Sequence, residues 1–359
     1  LFNFCITVLS DSLSYVSLED YKVMTDETII LNNTDESIGE VTFQLKNENI
    51  IQHIRTYTDI LKINSQRFIY DDKLLFGISN KVEKQAINAI EGKVINIDIV
   101  STLFFHLSRI EEYLCPEELK DEHERMKSSC QFLVRNKLER TPVIDEICFW
   151  FLKVLDLHQE IESLRIMSHD IDVLKKYPSF YKFTRGFARI LFSKNEFKGS
   201  LIKFVNYYLK SLVKEPDIFN TFSWLINDTF FDKKIIFFMS GGVTKYDNFY
   251  KIRDDRLIEV FKDVESKGYE IGLHPSYATY NNFSQFSKEK AALEKVIQKK
   301  VVSSRQHILH YQVAKTPAIL EENEILNDYT LGYQDRIGYR AGTGFDFYLW
   351  NNLKNENFK

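Results

Sequence analysis

The stretch SHDID, residues 168–172, closes the run ESLRIM and sets Asp170 and Asp172 two positions apart beside His169. Side chains alternate along an extended strand, so Ser168, Asp170 and Asp172 share one face and His169 takes the other. Two carboxylates on one face repel unless a cation lies with them. The segment EIGLHPS brings His274 to the end of an apolar run, and SSRQHIL sets Arg305 and His307 on one face by the same alternation. One Asp with two His suits zinc or a similar first-row divalent metal, and the set Asp172, His274 and His307 leaves a coordination position for water, as catalytic metal sites do. Asp170, outside that set, is placed to take the proton of that water. Arg305 supplies the cation.

These residues need elements that bring them to one edge. From about residue 163 apolar strand cores alternate with amphipathic helices: LRIMSHD, KKIIFFMS, YEIGLHP and VVSSRQH are the strands, and RLIEVFKDVESKG is among the helices. That order predicts an α/β fold built on a parallel sheet or barrel, whose C-terminal strand ends line a cleft. Before residue 160, QRFIYDDKLLFGIS and GKVINIDIV read as short strands, followed by helix from LFFHLSRIEEYL through VIDEICFWFLKVLDL. We therefore expect a self-contained N-terminal α/β domain over 1–160 and a barrel over 161–359. Eight of the 13 glycines lie between Gly241 and Gly344, which concentrates tight strand-to-loop turns in the second part. In SGGVTKYDNFY the glycines predict a loop over the cleft, since no GxxxxGK[ST] phosphate cradle is present. The start LFNFCITVLS carries neither an initiator Met nor a charged leader and is read as an internal start.

Composition limits the function classes. The 359 residues are 44% hydrophobic, enough for a large core, and the net charge of −4 argues against a nucleic-acid binder with a basic surface throughout. No apolar run is long enough for a membrane span. Cys5, Cys115, Cys130 and Cys148 show no CxxC spacing, so they read as buried free thiols in a reducing compartment, and a cytoplasmic location is expected.

One segment stands apart. Residues 173–214 hold ten Lys and Arg against the single acid Glu196, a net charge of +9 where the rest of the chain carries −13. Phe180, Phe183, Phe187, Ile190 and Leu191 recur among the charges at helical spacing. Such a basic amphipathic stretch, within a helical insertion at 173–230, predicts peripheral contact with an anionic inner membrane face. Its alternative is a solvated basic face whose apolar side packs on the barrel.

Taken in order, SHDID, IIFFMSGG, YEIGLHPSY, SSRQHIL and LGYQDRIGYRAGT resemble the polysaccharide deacetylases of carbohydrate esterase family four, in a bacterial subgroup with an added N-terminal domain. FFHLSRIEEYL, DEHERM and TPVIDE are similar to that N-terminal domain, so the resemblance spans most of the chain. It implies a distorted (β/α) barrel of the polysaccharide deacetylase type behind an N-terminal α/β domain, a divalent metal with zinc first, a glycan substrate, and hydrolysis of an N-acetyl group from an amino sugar. It implies Asp170 as catalytic base, Asp172 and His274 as metal ligands, and Arg305 as the residue that orients or charges the base. Ser276 and Tyr277 are candidates for contact with sugar hydroxyls. Tyr339 and Arg340 are candidates for substrate contact or for a structural corner.

The chain departs from the commoner pattern at two places. Where a second metal-binding His follows four residues after the first, this chain has Ala278; His307 is the expected substitute, with a hydrogen bond inside the barrel as its alternative. A general-acid His is implied beyond residue 340, and no His follows His310, so the barrel is expected to be cut short at its C-terminal end. The alternatives to the deacetylase are a glycan-binding protein that lacks turnover and a hydrolase of a non-sugar amide. His169 is expected to pack away from the cleft. Arg109, Glu111 and Glu112 are expected on a solvated helix face or in an ion pair at a domain interface.

Overall fold

The computed structural model describes residues 21–25, 28–33, 41–46, 50–82, 85–92, 94–154, 164–174, 184–185, 187–188, 201–202, 204–206, 221–227, 229–247, 250–354 and 356–358. The chain divides into two compact units, the first made of Leu1–Glu162, Leu309–Glu322 and Thr330–Lys359, the second of Ser163–Ile308 and Asn323–Tyr329. The late segment GYRAGT, read above as part of the barrel, is thus grouped with the N-terminal residues.

In the first unit β1 (Tyr21–Thr25), β2 (Thr28–Asn33), β3 (Val41–Lys46), β8 (Val94–Ile95) and β7 (Ile90–Glu91) form one sheet in that order. A second sheet pairs β4 (Asn64–Tyr70) with β5 (Lys73–Ser79) and β6 (Ile87–Asn88). Helix α1 (Ile99–Leu107) begins where the Asp98 side chain accepts from Ser101 N–H at 3.0 Å, a regular N-cap, and all nine of its residues are buried. The helical stretch expected to run on through residue 157 is broken: Arg109 takes a left-handed backbone (φ 52°), and the chain continues as α2 (Ile110–Tyr113), α3 (Phe132–Arg135) and α4 (Val143–Val154).

That break creates a buried charge cluster. Arg109 and Arg340 both bond Glu112, with Arg340 Nε and Nη2 reaching its two carboxylate oxygens at 2.9 and 2.7 Å. The remaining guanidinium donors are met by backbone carbonyls: Arg109 Nη1 reaches His106 O and Arg340 O, and Arg340 Nη1 reaches Gly332 O at 2.8 Å. Arg109 and Glu111 are buried, and the side chains of Glu112 and Arg340 are 6% and 1% exposed, which corrects the solvated-face expectation. Arg109, Arg340 and Glu112 can be buried together because each guanidinium is paired with the Glu112 carboxylate. Nearby, Asp145 on α4 accepts from Thr343 Oγ1 and from Gly344 N at 2.8 Å, tying the GYRAGT segment to the same unit.

The second unit carries a mixed α/β arrangement around five parallel strands: β9 (Ile166–Ile171), β10 (Lys233–Phe238), β11 (Glu270–Leu273), β12 (Ser303–Ser304) and β13 (Asn327–Asp328), in the order β13-β12-β11-β10-β9. The sheet is curled into a half-barrel, in keeping with a distorted (β/α) barrel. Ile235, Ile236, Phe237 and Phe238 are fully buried in succession, the continuous apolar run of a strand covered on both faces. Gly272 on β11 gives the Phe237 ring room, since a Cβ there would come within 2.5 Å of it. Helices α5 (Asp255–Ser266) and α6 (Phe283–Ile297) accompany the sheet. The stretch VVSSRQH forms only two residues of strand, because the chain turns off the sheet after Ser304.

Most of the basic insertion lies outside the described residues, Phe180, Phe183, Ile190 and Leu191 among them, as do Cys5 and the first 20 residues. Among the described residues no helix is long and apolar enough to cross a membrane. Cys115, Cys130 and Cys148 are free thiols, two of them buried.

Candidate metal centre

Strand register sets the level of the site in the second unit. Phe238 pairs with Ile171 on one side and Leu273 on the other, and Leu273 pairs with Ser304. The next residues along, Asp172, His274 and Arg305, therefore leave the sheet together at its C-terminal edge. Backbone bonds continue past the strands: His274 N donates to Phe238 O at 2.9 Å and Arg305 N to Leu273 O at 3.0 Å. The Tyr250 hydroxyl accepts from Met239 N–H and donates to Ile171 O, both at 2.7 Å, clamping the ends of β9 and β10 beneath the aspartates.

Asp172, His274 and His307 each offer a ligand atom, and these atoms lie within 4.8 Å of one another. His274 Nε2 stands 3.2 Å from Asp172 Oδ1 and 4.0 Å from Asp170 Oδ2, while its Nδ1 lies 2.6 Å from the Arg305 carbonyl oxygen. A carbonyl can only accept, so Nδ1 carries the proton, and in the neutral ring Nε2 would aim a lone pair at two carboxylates. A cation must sit there: a second proton, or a metal. Burial alone would lower the His274 pKa, but the hydrogen bond to Asp172, the charges of Asp170 and Asp172 and the Arg305 carbonyl together hold it above its ordinary value. Hydrogen bonding to His274 in turn holds the Asp172 carboxyl below its usual range against the opposing effect of burial. Two imidazoles and a carboxylate around a point of negative potential, with Asp172 half exposed to solvent, fit a first-row divalent metal with room for water.

Asp170 is held beside this cluster. Arg305 Nη1 donates to Asp170 Oδ1 at 3.0 Å, Nη2 to Ser168 Oγ at 2.6 Å, and Nε to the Tyr329 carbonyl at 3.1 Å, so all three guanidinium nitrogens are engaged. Ser168 and Asp170 reach the same guanidinium because both point to one face of β9. His169 points elsewhere, and burial lowers its pKa.

His307 arrives differently from the alternation argument. It opens a short turn, His307–Leu309, in which the β-branched Ile308 is left-handed (φ 59°), a strained conformation that directs the chain away just past the site. The rings of His274 and His307 lie 5.0 Å apart, and His307 Nδ1 faces Asp247 Oδ1 at 3.8 Å. Asp247 is buried; its carboxylate accepts from Tyr277 N–H at 2.8 Å and Thr244 N–H at 2.6 Å. Burial pushes its pKa up, but His307 and these two N–H groups outweigh that and bring it down to about 2.

The expected sugar contacts are distributed less simply. Ser276 is 1% exposed, and both its N–H, at 2.7 Å, and its hydroxyl are bonded to Glu289 on α6. Glu289 is itself buried, with its pKa raised by that burial, so Ser276 fixes the loop after β11 rather than facing a ligand. Tyr277 is half-buried, with its ring 4.4 Å from that of Tyr246. Tyr339 and Arg340 belong to the first unit, where Arg340 is occupied by Glu112. Asp247, Tyr250 and Glu289 were not singled out from the sequence. The only signal for Asp247 was an acid a few residues past the Gly241-Gly242 pair in the loop after a strand.

A family of unknown function, DUF7033, matches residues 4–160, less than half of the chain. No curated protein matches. A Mycobacterium smegmatis crystal structure, provisionally named a polysaccharide deacetylase, is similar with 17% identity and a TM-score of 0.27 over 50% of this chain and 56% of that one. The chain thus spans little more than half the length of that protein.

Proposed function

We propose that the second unit is a metal-dependent hydrolase that removes N-acetyl groups from an amino-sugar glycan or its lipid-linked precursor. The observation that carries this reading is the convergence of Asp172 and His274, from two strand ends, and His307, from the turn after a third, beside an Asp170 held by Arg305. That geometry supports amide hydrolysis; the acetylated sugar rests on the resemblance of the five sequence motifs. A divalent metal bound by the three ligands would lower the pKa of water toward ~7 and polarise the acetyl carbonyl.

The protein groups supply the rest. Asp170 keeps Oδ2 turned toward the cluster, 4.0 Å from His274 Nε2, while Arg305 fixes Oδ1 through a charge-assisted hydrogen bond. In this reading Asp170 passes the proton it has taken to the leaving amine, acting as base and then as acid.

The test is acetate release from N-acetylated amino-sugar oligomers by zinc-loaded protein beside Asp170→Asn. Release by the wild type and none by the variant supports the reading. Bound metal without acetate release would favour the glycan-binding alternative, and release only from non-sugar acetamides would reassign the substrate.

A further inference from the structure

Asp247 is not needed to explain the ligand cluster, yet the fold builds a place for it. Its carboxylate is 2% exposed and locked by two backbone N–H donors, Tyr277 at 2.8 Å and Thr244 at 2.6 Å. Gly242 packs directly on it: a Cβ there would come within 2.5 Å of Asp247 Cγ, and the positive φ of 105° also favours glycine. The remaining neighbour is His307, whose buried Nδ1 has no hydrogen-bond partner at present and stands 3.8 Å from Asp247 Oδ1. That gap is about an ångström longer than a hydrogen bond and closes with a small rotation of the ring.

Resting on the metal-centre reading above, we infer that Asp247 is a positioning residue for His307: it accepts the Nδ1 proton, fixes the tautomer and leaves Nε2 as the ligating nitrogen. His274 has the same arrangement, with the Arg305 carbonyl in the place of the carboxylate. A metal-ligating histidine whose far nitrogen bonds a carboxylate or carbonyl is oriented and made more basic. Both imidazoles of this site are then braced from behind, one by backbone and one by a buried acid. This explains how His307 can serve from a strained turn, without a strand to direct it.

The experiment combines zinc affinity, by chelator competition, with 15N spectra of the histidine side chains in the metal-free protein. Wild type, Asp247→Asn, Asp247→Ala and Tyr246→Ala are compared; the last loosens the same loop without touching the carboxylate. The expected result is one zinc per chain throughout, an affinity loss of about 10–100-fold in both Asp247 variants, no loss in Tyr246→Ala, and a His307 tautomer that is Nδ1-protonated in the wild type but mixed in Asp247→Ala. Should Asp247→Ala fail to fold, Asp247→Asn, which keeps Oδ1 as an acceptor for Tyr277 N–H and His307 but removes the negative charge that makes the imidazole more basic, carries the comparison. Wild-type affinity and an unchanged His307 spectrum in the Asp247 variants would overturn the inference while leaving the metal centre standing. An equal loss in Tyr246→Ala would reduce Asp247 to a loop anchor. A wild type that binds no zinc would overturn the metal centre and this inference together.

Discussion

The two oxygens of Asp170 face different partners: Oδ1 accepts from Arg305 Nη1 at 3.0 Å, and Oδ2 lies 4.0 Å from His274 Nε2. One oxygen is thus anchored and the other is presented to the ligand cluster, the division of labour a general base needs. Asp170→Asn should lower kcat by about 10²–10⁴-fold with metal content unchanged. Loss of metal together with activity would instead make Asp170 a ligand. Arg305→Lys keeps the charge but not the three-way fork to Asp170, Ser168 and Tyr329 O, so kcat should fall roughly 10–100-fold from the loss of charge-assisted bonds. Unaltered kcat would show that the fork is dispensable.

Metal at this site competes with a second proton on His274. Because the pKa of His274 is raised by its carboxylate neighbours, acid favours the proton and weakens metal binding. Calorimetry in buffers of different ionisation enthalpy should show about one proton released per zinc bound below that pKa, with affinity falling as pH falls. Affinity independent of pH, with no proton released, would contradict the tautomer and charge assignment.

Arg340 distinguishes packing from substrate contact. Removing it leaves Glu112 buried with one guanidinium instead of two, so Arg340→Ala should destabilise the protein by about 3–5 kcal/mol in urea unfolding. A raised KM with unchanged stability would return Arg340 to the substrate-contact role that its motif suggested.

Glu111 gives a pH dependence of known sign. It is buried, and although the Phe132 N–H, Arg109 and Arg135 pull its pKa down, burial wins and raises it to about 7. The folded state therefore holds this proton more tightly than the unfolded chain, and stability is lost as pH rises from about 4.5 to about 7. Glu111→Gln removes the titration. The variant should gain on the wild type by up to about 3 kcal/mol between pH 5 and pH 8, measured as unfolding midpoints. An identical difference at both pH values would contradict the assignment.

What the sequence revealed followed from regular backbone. The parallel half-barrel was legible because LRIM, KKIIFF and YEIGL are apolar runs of strand length with helices between them. The shared face of Ser168 and Asp170 was legible because β9 stays extended through Ile171. Alternation failed as a guide beyond Ser304, where strand pairing ends and a left-handed Ile308 turns the chain. Ser276 and Arg340 look like ligand-facing polar residues in one dimension; their burial depends on Glu289, 13 residues on in a separate helix, and on Glu112, 228 residues back. Asp247 was invisible for the same reason, since its meaning comes from His307, sixty residues downstream.

The account stands most directly on metal stoichiometry. Elemental analysis of purified wild type beside Asp172→Ala, His274→Ala and His307→Ala, each checked for folding by circular dichroism, should give about one divalent metal per wild-type chain and a large loss in every variant. A folded wild type without metal, or a His307→Ala protein that retains it in full, would contradict the three-ligand centre.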